Sequence, residues 1–326
     1  MRILINGFGR IGRTILRQLL TTRTDTGIEV VGINDIAPLD ICAYLFGYDS
    51  VFGPFPQVVS AASGALMVGD STFAFTQSRD LSTLDLRGVD LVLECTGIAR
   101  TSDIARRGLT AGAGAVLISG PSPAAEVTVV LGANDAALGD ARIVSNASCT
   151  TNALAPIVKH LHAALGITAA HMTTIHCYTS SQPMTDAPRG DFARSRAGAL
   201  SMVPTTTSAT ELVTEVVSEL AGRITGAAVR VPVASVSCID LTATVSRAVT
   251  TDALHAVLRQ TDPALIGTTD LPLVSSDLRA RPESLVVALP ECFATTDHQI
   301  RVFGWYDNEW GFSARMIDMA LRMGGR

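Results

Sequence analysis

The stretch Arg2-Ile-Leu-Ile-Asn6, Gly7-Phe-Gly-Arg-Ile-Gly12, Arg13-Thr-Ile-Leu-Arg-Gln-Leu-Leu20 decides the fold of this 326-residue chain. Its first part is a short apolar run typical of a buried strand, and its last part places apolar residues at helical spacing. Glycines separate the two parts. A second apolar run, Glu29–Asn34, follows, so the segment predicts a strand, a turn, a helix and a second strand parallel to the first.

The alternation of strands and helical segments continues beyond this unit. Val89–Glu94, Ala115–Ser119 and Val127–Leu131 have the composition of strands, and Asp103–Ala111 has that of a helix. Such alternation is typical of an open α/β sheet. We therefore predict an α/β domain over residues 1–148.

A different pattern begins at Cys149. Long β-rich stretches predict an α+β domain with a mostly antiparallel sheet over residues 149–311. An amphipathic segment over residues 312–326 is expected to pack back on the first domain as a closing helix. The second domain is predicted to contain helices at Cys149–Leu165 and Thr210–Leu220, and β-rich stretches at Thr168–Tyr178, Val229–Val249 and Ser284–Ala288.

Composition excludes several classes of protein. The net charge is −5 and no basic run is present, so nucleic-acid binding is not expected. No apolar stretch is long enough to span a bilayer and no signal-peptide pattern precedes the first strand, so we expect a cytoplasmic protein without membrane contact. Six cysteines without Cys-x-x-Cys spacing argue against a structural zinc site and a disulfide framework. No metal is predicted, and one cysteine is a candidate for catalysis.

The glycine pattern Gly7, Gly9 and Gly12 predicts a dinucleotide site. These glycines permit a tight turn and let the backbone approach a pyrophosphate, which the N-terminus of the following helix can bind. Asp35 ends the second strand about 20 residues beyond the motif, where a carboxylate accepts hydrogen bonds from ribose hydroxyls. Because a carboxylate would repel a 2′-phosphate, the pattern favours NAD over NADP. The alternative is a structural glycine-rich turn.

Cys149 and His176 are the candidate nucleophile and base. Cys149 lies in the first turn of a predicted helix, where the helix N-terminus and a nearby charged histidine would lower its thiol pKa. The alternative for this cysteine is an inert buried thiol. His176 ends a predicted strand, whereas the other histidines are expected on the surface or packed, and Cys177 is expected in the core. Hydroxyls and guanidinium groups suited to oxyanions are supplied by Thr150, Thr179, Thr207, Arg194 and Arg230.

In its glycine motif and in the segment around Cys149, the sequence resembles the phosphorylating glyceraldehyde-3-phosphate dehydrogenase family. The resemblance implies a Rossmann NAD-binding domain, an α+β catalytic domain and a homotetramer. The matching stretches extend over the whole chain and are Ile5-Asn-Gly-Phe-Gly-Arg-Ile-Gly-Arg13, Ser145-Asn-Ala-Ser-Cys-Thr-Thr-Asn152, Arg230-Val-Pro232 and Trp305-Tyr-Asp-Asn-Glu-Trp-Gly311.

The resemblance also implies site residues. Cys149 would attack a phosphorylated aldehyde, His176 would take up the hydroxyl proton, and a hydride would pass to the nicotinamide, leaving a thioester that inorganic phosphate resolves. Asn308 would hold the nicotinamide amide. The remaining cofactor-binding residues would be Phe8, Gly9, Arg10, Ile11, Asn34, Asp35, Arg79, Thr96, Gly97 and Ser119. Thr179, Arg194 and Arg230 would hold the substrate phosphate, and Ser148, Thr150, Thr207 and Ser208 the inorganic phosphate.

Five positions depart from the pattern usual in the family. Ser208 replaces a glycine and Glu211 a lysine, which could reshape or weaken an inorganic phosphate site. Phe52, Ala153 and Phe312 replace a usual histidine, cysteine and tyrosine.

These departures lead to alternative hypotheses. One is a specialised member that acts on another phosphorylated aldehyde, such as erythrose 4-phosphate, or that tolerates a thiol-directed inhibitor. Others are a non-phosphorylating enzyme in which water resolves the thioester, and a non-catalytic NAD-binding or scaffold protein.

Overall fold

The computed structural model of the protein describes residues 1–325, and the chain divides into two compact units. The first unit comprises residues 1–129, 136–148 and 313–325. The second comprises residues 130–135 and 149–312. Arg326, the last residue of the predicted closing helix, lies outside the described residues.

The first unit alternates strands and helices. Strand β1 (Arg2–Asn6) leads into helix α1 (Arg10–Thr21) and strand β2 (Glu29–Asn34), which confirms the predicted opening unit. The elements that follow are α2 (Leu39–Gly47), β3 (Tyr48–Asp49), β4 (Gly53–Pro54), β5 (Val59–Ala62), β6 (Ala65–Val68), β7 (Ser71–Thr76), β8 (Leu91–Glu94), α3 (Ser102–Ala105), α4 (Arg107–Thr110), β9 (Ala115–Ile118), β10 (Val127–Thr128) and β11 (Ile143–Ser145).

Nine of these strands form a sheet with the order β10-β11-β9-β8-β1-β2-β7-β6-β5, and β3 pairs separately with β4. β1 lies at its centre and pairs in parallel with β2 on one side and β8 on the other. Only the β5-β6-β7 edge is antiparallel. The architecture confirms the predicted α/β Rossmann class. Because the central strands are parallel, the residues that follow β1, β2 and β8 gather at one edge of the sheet, where ligands bind in such folds.

Two predicted elements of this unit are shorter in the structure. The helix expected at Asp103–Ala111 is two short helices, α3 and α4, and the strand expected at Val127–Leu131 is confined to the two residues of β10. A Cβ atom added at Gly108 in α4 would lie 2.9 Å from the Val116 side chain. Glycine is therefore required there because the helix backbone packs directly on the sheet.

The second unit begins with the long helix predicted from the sequence. Helix α5 (Cys149–Leu165) agrees with the prediction residue for residue. It is followed by β12 (Ile167–Cys177), β13 (Val203–Thr205), α6 (Ala209–Val216), β14 (Ile224–Val231), β15 (Ser237–Val245), α7 (Thr251–Leu258), β16 (Ile266–Thr269), β17 (Leu285–Ala288), β18 (Phe293–Thr296) and β19 (Gln299–Tyr306). The last helix, α8 (Trp310–Gly324), belongs to the first unit from Ser313 onward.

The sheet of this unit has the order β13-β14-β12-β15-β19-β17-β16, with β18 paired to β19. Five of its strand pairs are antiparallel, and two, β12 with β14 and β16 with β17, are parallel. The mostly antiparallel sheet is therefore confirmed. The register sets His176 beside Arg230 on β14, and Arg230 beside Val203 on β13.

Several general features concern the whole described chain. Over residues 1–325, no helix combines the length and the apolar character needed to cross a bilayer. All six cysteines carry free thiols. Within the same residues, no group of His, Cys, Asp and Glu side chains is arranged to hold a metal ion.

Candidate functional site

A cavity of about 300 Å³ opens in the first unit at the carboxyl ends of its central strands. It is lined by residues that directly follow β1, β2 and β8, as expected for a ligand site in a parallel sheet. Among the residues predicted to bind a cofactor, those that line it are Gly9, Asn34, Asp35, Arg79 and Thr96.

The glycine turn between β1 and α1 brings backbone segments into close approach. Gly7 has φ +95°, and a Cβ atom there would lie 2.7 Å from the backbone of Cys95. A Cβ atom at Gly12 would lie 2.1 Å from the Gly7 carbonyl oxygen. At Gly9, by contrast, a Cβ atom would meet nothing within 4 Å, so this backbone faces open space. The turn fits a dinucleotide, because a pyrophosphate can reach the backbone at Gly9 and the N-terminus of α1.

Asp35 is held in a fixed orientation beside this turn. Its Oδ2 accepts a hydrogen bond from the Phe8 backbone N–H at 2.5 Å, and its Oδ1 accepts one from the Ala37 backbone N–H at 2.8 Å. Each carboxylate oxygen has a second lone pair, so the group can also accept hydrogen bonds from vicinal hydroxyls of a ribose.

Asn34 is engaged within the protein. Its Nδ2 donates to Asn6 Oδ1 at 2.8 Å and to the Ser78 carbonyl at 3.0 Å, while its Oδ1 accepts from the Thr76 hydroxyl and the Ser78 N–H. Asn34 therefore shapes the wall of the cavity. Sequence reasoning missed the buried Glu94 in the same wall, which accepts a hydrogen bond from Asn6 Nδ2 at 2.5 Å. Burial raises the pKa of Glu94, against the opposing hydrogen bonds from Thr96 and Asn6.

The other predicted cofactor residues take different positions in the first unit. The Phe8 ring is buried, with its centroid 5.7 Å from that of Phe46, so its backbone is what faces Asp35. Arg10 pairs with Asp49, and its guanidinium lies 5.4 Å from the ring centroid of Phe52, one of the departures from the family pattern. Ile11 lies in the first turn of α1, Gly97 is exposed with φ +76°, and Ser119 follows β9.

In the second unit, Cys149 begins α5 and His176 lies near the end of β12. The Cys149 Sγ atom is 3.6 Å from His176 Nε2. That distance is within the limit for a sulfur hydrogen bond, so a proton can pass directly between the two groups. The structure thus joins the predicted nucleophile and base, which stand 27 residues apart in the sequence.

Arg230 completes this arrangement from the neighbouring strand. Its Nη1 donates to the Cys177 carbonyl at 3.0 Å and lies 2.8 Å from His176 Nδ1. His176 Nδ1 is also 2.8 Å from the Cys177 carbonyl. A neutral imidazole with its proton on Nδ1 donates to that carbonyl and leaves the Nε2 lone pair for the Cys149 thiol. The Arg230 guanidinium also contacts Nδ1 and favours the opposite tautomer, which carries its proton on Nε2. Moving the guanidinium away from Nδ1 therefore favours the tautomer in which Nε2 can accept the thiol proton.

The electrostatics of the pair correct one expectation. Burial and the charge of Arg230 lower the pKa of His176 to about 4, so the imidazole is neutral near pH 7. Burial raises the pKa of the Cys149 thiol, and this outweighs the opposing effects of Arg230 and Thr150. The predicted lowering of the Cys149 pKa was therefore wrong for the protein without ligand. His176 is neutral, and removal of water disfavours the Cys149 thiolate more than nearby groups stabilise it.

Tyr306, which sequence reasoning did not select, ties the site together. Its buried hydroxyl lies 2.8 Å from Thr150 Oγ1 and 2.9 Å from Thr174 Oγ1. Its ring meets that of His176 edge to face, with the centroids 6.0 Å apart. The sequence motif Trp305-Tyr-Asp-Asn308 points to Asn308 only through the family resemblance, whereas the role of Tyr306 follows from the partners of its buried hydroxyl.

Cys177 is also more than a core residue. It is buried as expected, but its thiol donates to Asn308 Oδ1 at 3.1 Å. Its backbone N–H donates to Ser237 Oγ at 3.1 Å. Cys177, which follows the predicted base His176, therefore contacts Asn308, which is predicted to hold the nicotinamide amide.

Three of the remaining predicted anion-binding residues have other hydrogen-bond partners in the second unit. Among residues 1–325, Thr179, Arg194 and Thr207 form no hydrogen bond to Cys149, His176 or Arg230. The Thr179 hydroxyl contacts Ser181, Arg194 Nε donates to Thr205 Oγ1 at 2.8 Å, and the Thr207 hydroxyl accepts from the Ala209 N–H at 3.1 Å. Ser208 is the residue before α6, and Ser148 directly precedes Cys149.

Comparison with known proteins covers nearly all of the chain. Residues 1–102 match the family described as glyceraldehyde 3-phosphate dehydrogenase, NAD binding domain, and residues 148–308 match its C-terminal domain. Glyceraldehyde-3-phosphate dehydrogenases of Xanthobacter flavus and Pseudomonas aeruginosa are each 45% identical to this chain, and the alignments cover 99% of this chain and 98% of each relative. One from Cereibacter sphaeroides is 43% identical with the same coverage. The chain therefore belongs to the glyceraldehyde-3-phosphate dehydrogenase family.

Proposed function

We propose that this protein catalyses the NAD-dependent oxidative phosphorylation of glyceraldehyde 3-phosphate to 1,3-bisphosphoglycerate through a thioester on Cys149. The observation that carries the proposal is the 3.6 Å contact between Cys149 Sγ and His176 Nε2 beside Arg230. Such a pair provides a nucleophile and a general base, and the guanidinium provides a charge that attracts a phosphorylated substrate.

The residues of the first unit are suited to hold NAD. Gly9 offers accessible backbone to a pyrophosphate, and Asp35 offers carboxylate oxygens to the ribose of an adenosine. The negative charge of Asp35 disfavours NADP. Asn308 would bind the amide of the nicotinamide. When bound, NAD supplies the acceptor for the hydride that leaves the substrate carbon.

The first chemical step begins from a neutral pair. As Cys149 Sγ bonds to the aldehyde carbon, its proton passes to His176 Nε2 and returns to the carbonyl oxygen, which yields a thiohemiacetal without a net change in charge. Transfer within the pair avoids a stable thiolate, which burial disfavours. The backbone N–H groups at the start of α5 are suited to stabilise the developing oxyanion.

Oxidation then requires a base at the same position. His176 Nε2 takes the hydroxyl proton while the hydride leaves the carbon, and a thioester remains on Cys149. An oxygen of inorganic phosphate attacks this acyl group, the C–S bond breaks, and the acyl phosphate is released as the Cys149 sulfur takes the proton held on His176 Nε2.

Two groups of residues are proposed to hold the phosphates. Thr179, Arg194 and Arg230 would bind the phosphate of the substrate, and Ser148, Thr150, Thr207 and Ser208 the attacking phosphate. The Thr150 hydroxyl already contacts Tyr306, but a hydroxyl can serve several partners at once. Glu211 adds a negative charge to the first turn of α6, so we expect a weaker affinity for inorganic phosphate than a lysine there would give.

The decisive experiment measures NADH formation from glyceraldehyde 3-phosphate with and without inorganic phosphate. We expect turnover that depends on phosphate and is lost in Cys149→Ala. Cys292→Ala, which removes another buried thiol, serves as the matched control and should retain activity. Equal rates without phosphate would instead support a non-phosphorylating enzyme, and an active Cys149→Ala protein would contradict the thioester.

The substrate and its alternative can be compared in the same assay. The relatives that match the chain bear the name glyceraldehyde-3-phosphate dehydrogenase, which favours the three-carbon substrate over erythrose 4-phosphate. We expect kcat/KM to be higher for glyceraldehyde 3-phosphate. A higher value for erythrose 4-phosphate would revive the hypothesis of a specialised member.

We further propose a cytoplasmic homotetramer in which residues 1–148 with 312–326 form the cofactor domain and residues 149–311 the catalytic domain. A reducing compartment keeps the free thiol that the mechanism requires. Four large apolar side chains are strongly exposed between β12 and β13, and exposed apolar groups of this kind mark interfaces. They are Met184, Phe192, Leu200 and Met202. Sedimentation equilibrium is expected to give four times the mass of one chain.

A further inference from the structure

The side chain of Asn308 accepts one hydrogen bond from within the protein. Its amide is buried, and its Oδ1 accepts the hydrogen bond from the Cys177 thiol at 3.1 Å. Among residues 1–325, no other side-chain hydrogen bond involves Asn308. The carboxamide is thus held at its oxygen, and its Nδ2 keeps both protons available for another acceptor.

The Cys177 thiol is fitted to this donor role. Burial raises its pKa to about 12, so the sulfur keeps its proton at neutral pH. Its position is fixed by the strand end, because its backbone N–H donates to Ser237 Oγ. A carboxamide is nearly symmetric in shape, and a half turn exchanges its donor for its acceptor. A donor fixed at Oδ1 is what selects one of the two orientations.

We propose that Cys177 is a positioning residue that orients Asn308, so that Asn308 Nδ2 donates to the carbonyl oxygen of the nicotinamide amide. The inference rests on the proposed function, which assigns Asn308 to the nicotinamide. It adds that the orientation of the bound amide is set by a thiol next to the base, and that the protein recognises the carbonyl oxygen and not the amino group of that amide.

The test compares Cys177→Val, which keeps a similar volume and removes the donor, with Cys177→Ser, which keeps a donor. Binding constants for NAD and for ADP-ribose, which lacks nicotinamide, are measured by calorimetry. We expect Cys177→Val to weaken NAD binding about three- to tenfold, the effect of one hydrogen bond, and to leave ADP-ribose binding unchanged. Cys177→Ser should restore most of the affinity for NAD.

A cofactor analogue sharpens the result. In 3-acetylpyridine adenine dinucleotide the carbonyl remains and a methyl group replaces the amino group. The unmodified protein should bind it about as tightly as NAD. In Cys177→Val, a turned Asn308 would present its oxygen to that methyl group, so this analogue should lose more affinity than NAD.

Controls separate this inference from its premise. Cys292→Val removes another buried thiol, which donates to the Ala288 carbonyl at 3.2 Å, and should change neither binding constant. The alkylation rate of Cys149 checks that Cys177→Val is folded. Equal losses for NAD and ADP-ribose, or no loss, would overturn the role of Cys177. Unchanged NAD binding in Asn308→Ala would also overturn it, whereas the phosphate-dependent activity of the unmodified protein decides the proposed function separately.

Discussion

The cofactor cavity of the first unit and the cysteine–histidine cluster of the second are built in different ways. Gly7 and Asp35 in the wall of the cavity come from one β-α-β unit and lie less than 30 residues apart, and further wall residues come from the end of β8. The cluster relies on side chains from α5, β12, β14 and β19, which only the sheet register brings together. A local site of the first kind leaves a sequence motif, whereas a site assembled across strands leaves separate residues without a fixed spacing.

The two regions also differ in their charges. The cavity contains the carboxylates of Asp35 and Glu94, which suit hydroxyl and amide donors. The cluster combines the guanidinium of Arg230 with a neutral imidazole and a neutral thiol. Substitutions should therefore affect cofactor binding in one region and chemistry in the other.

His176→Asn should give the largest effect. Loss of the general base is expected to lower kcat about 10²- to 10⁴-fold, while the dissociation constant for NAD stays unchanged. Steady-state kinetics and calorimetry measure the two quantities. His171→Asn alters an exposed histidine on the same strand and should keep normal kcat. A matching loss of NAD affinity in His176→Asn would remove the distinction between the regions.

Arg230→Gln should lower kcat/KM for glyceraldehyde 3-phosphate about 10- to 100-fold, because a charged hydrogen-bond donor to the phosphate is lost. It should also change the pH profile. With Arg230 present, the neutral imidazole persists until the pH falls to about 4. Removing the positive charge raises the pKa of His176, so the acid limb of activity should move to higher pH. Arg247→Gln, at an exposed arginine of the same unit, is the control, and an acid limb unchanged in Arg230→Gln would contradict the coupling.

Asp35→Asn tests the first unit alone. Loss of the carboxylate should lower kcat/KM for NAD about tenfold and raise the ratio of NADP to NAD use, because repulsion of a 2′-phosphate is removed. Kinetics with both cofactors give the ratio, and the alkylation rate of Cys149 should stay normal. Asp70→Asn changes an exposed carboxylate of the same unit and should leave the ratio unchanged. If both variants behave alike, Asp35 does not select the cofactor.

Tyr306→Phe should have the smallest effect on turnover. The Thr150 hydroxyl would lose its buried partner, whereas Thr174 would still donate to the Cys238 carbonyl. We expect the free energy of unfolding to fall by about 1–2 kcal/mol, as measured by urea denaturation. Tyr44→Phe, at an exposed tyrosine, should leave stability unchanged. Equal stability of the two variants would show that the Tyr306 network contributes little.

Much of the fold was predictable because local patterns agree with it. β1, β2 and α5 have the predicted bounds, since apolar runs and helical spacing act over neighbouring residues. Asp103–Ala111 and Val127–Leu131 were less well predicted because the helix is interrupted at Arg106 and the chain passes into the second unit at Val130, and composition gives no sign of either change.

The sequence by itself determined the opening β-α-β unit, helix α5, the α/β and α+β classes, the glycine turn with Asp35, and the identities of Cys149 and His176 as candidates. These follow from periodicity, turn chemistry and residue types. The contacts of Tyr306 and Cys177 and the neutral state of the Cys149–His176 pair were decided only by the tertiary structure. The physical reason is that burial and register act through space, so residues far apart in the chain set each other's charge and orientation.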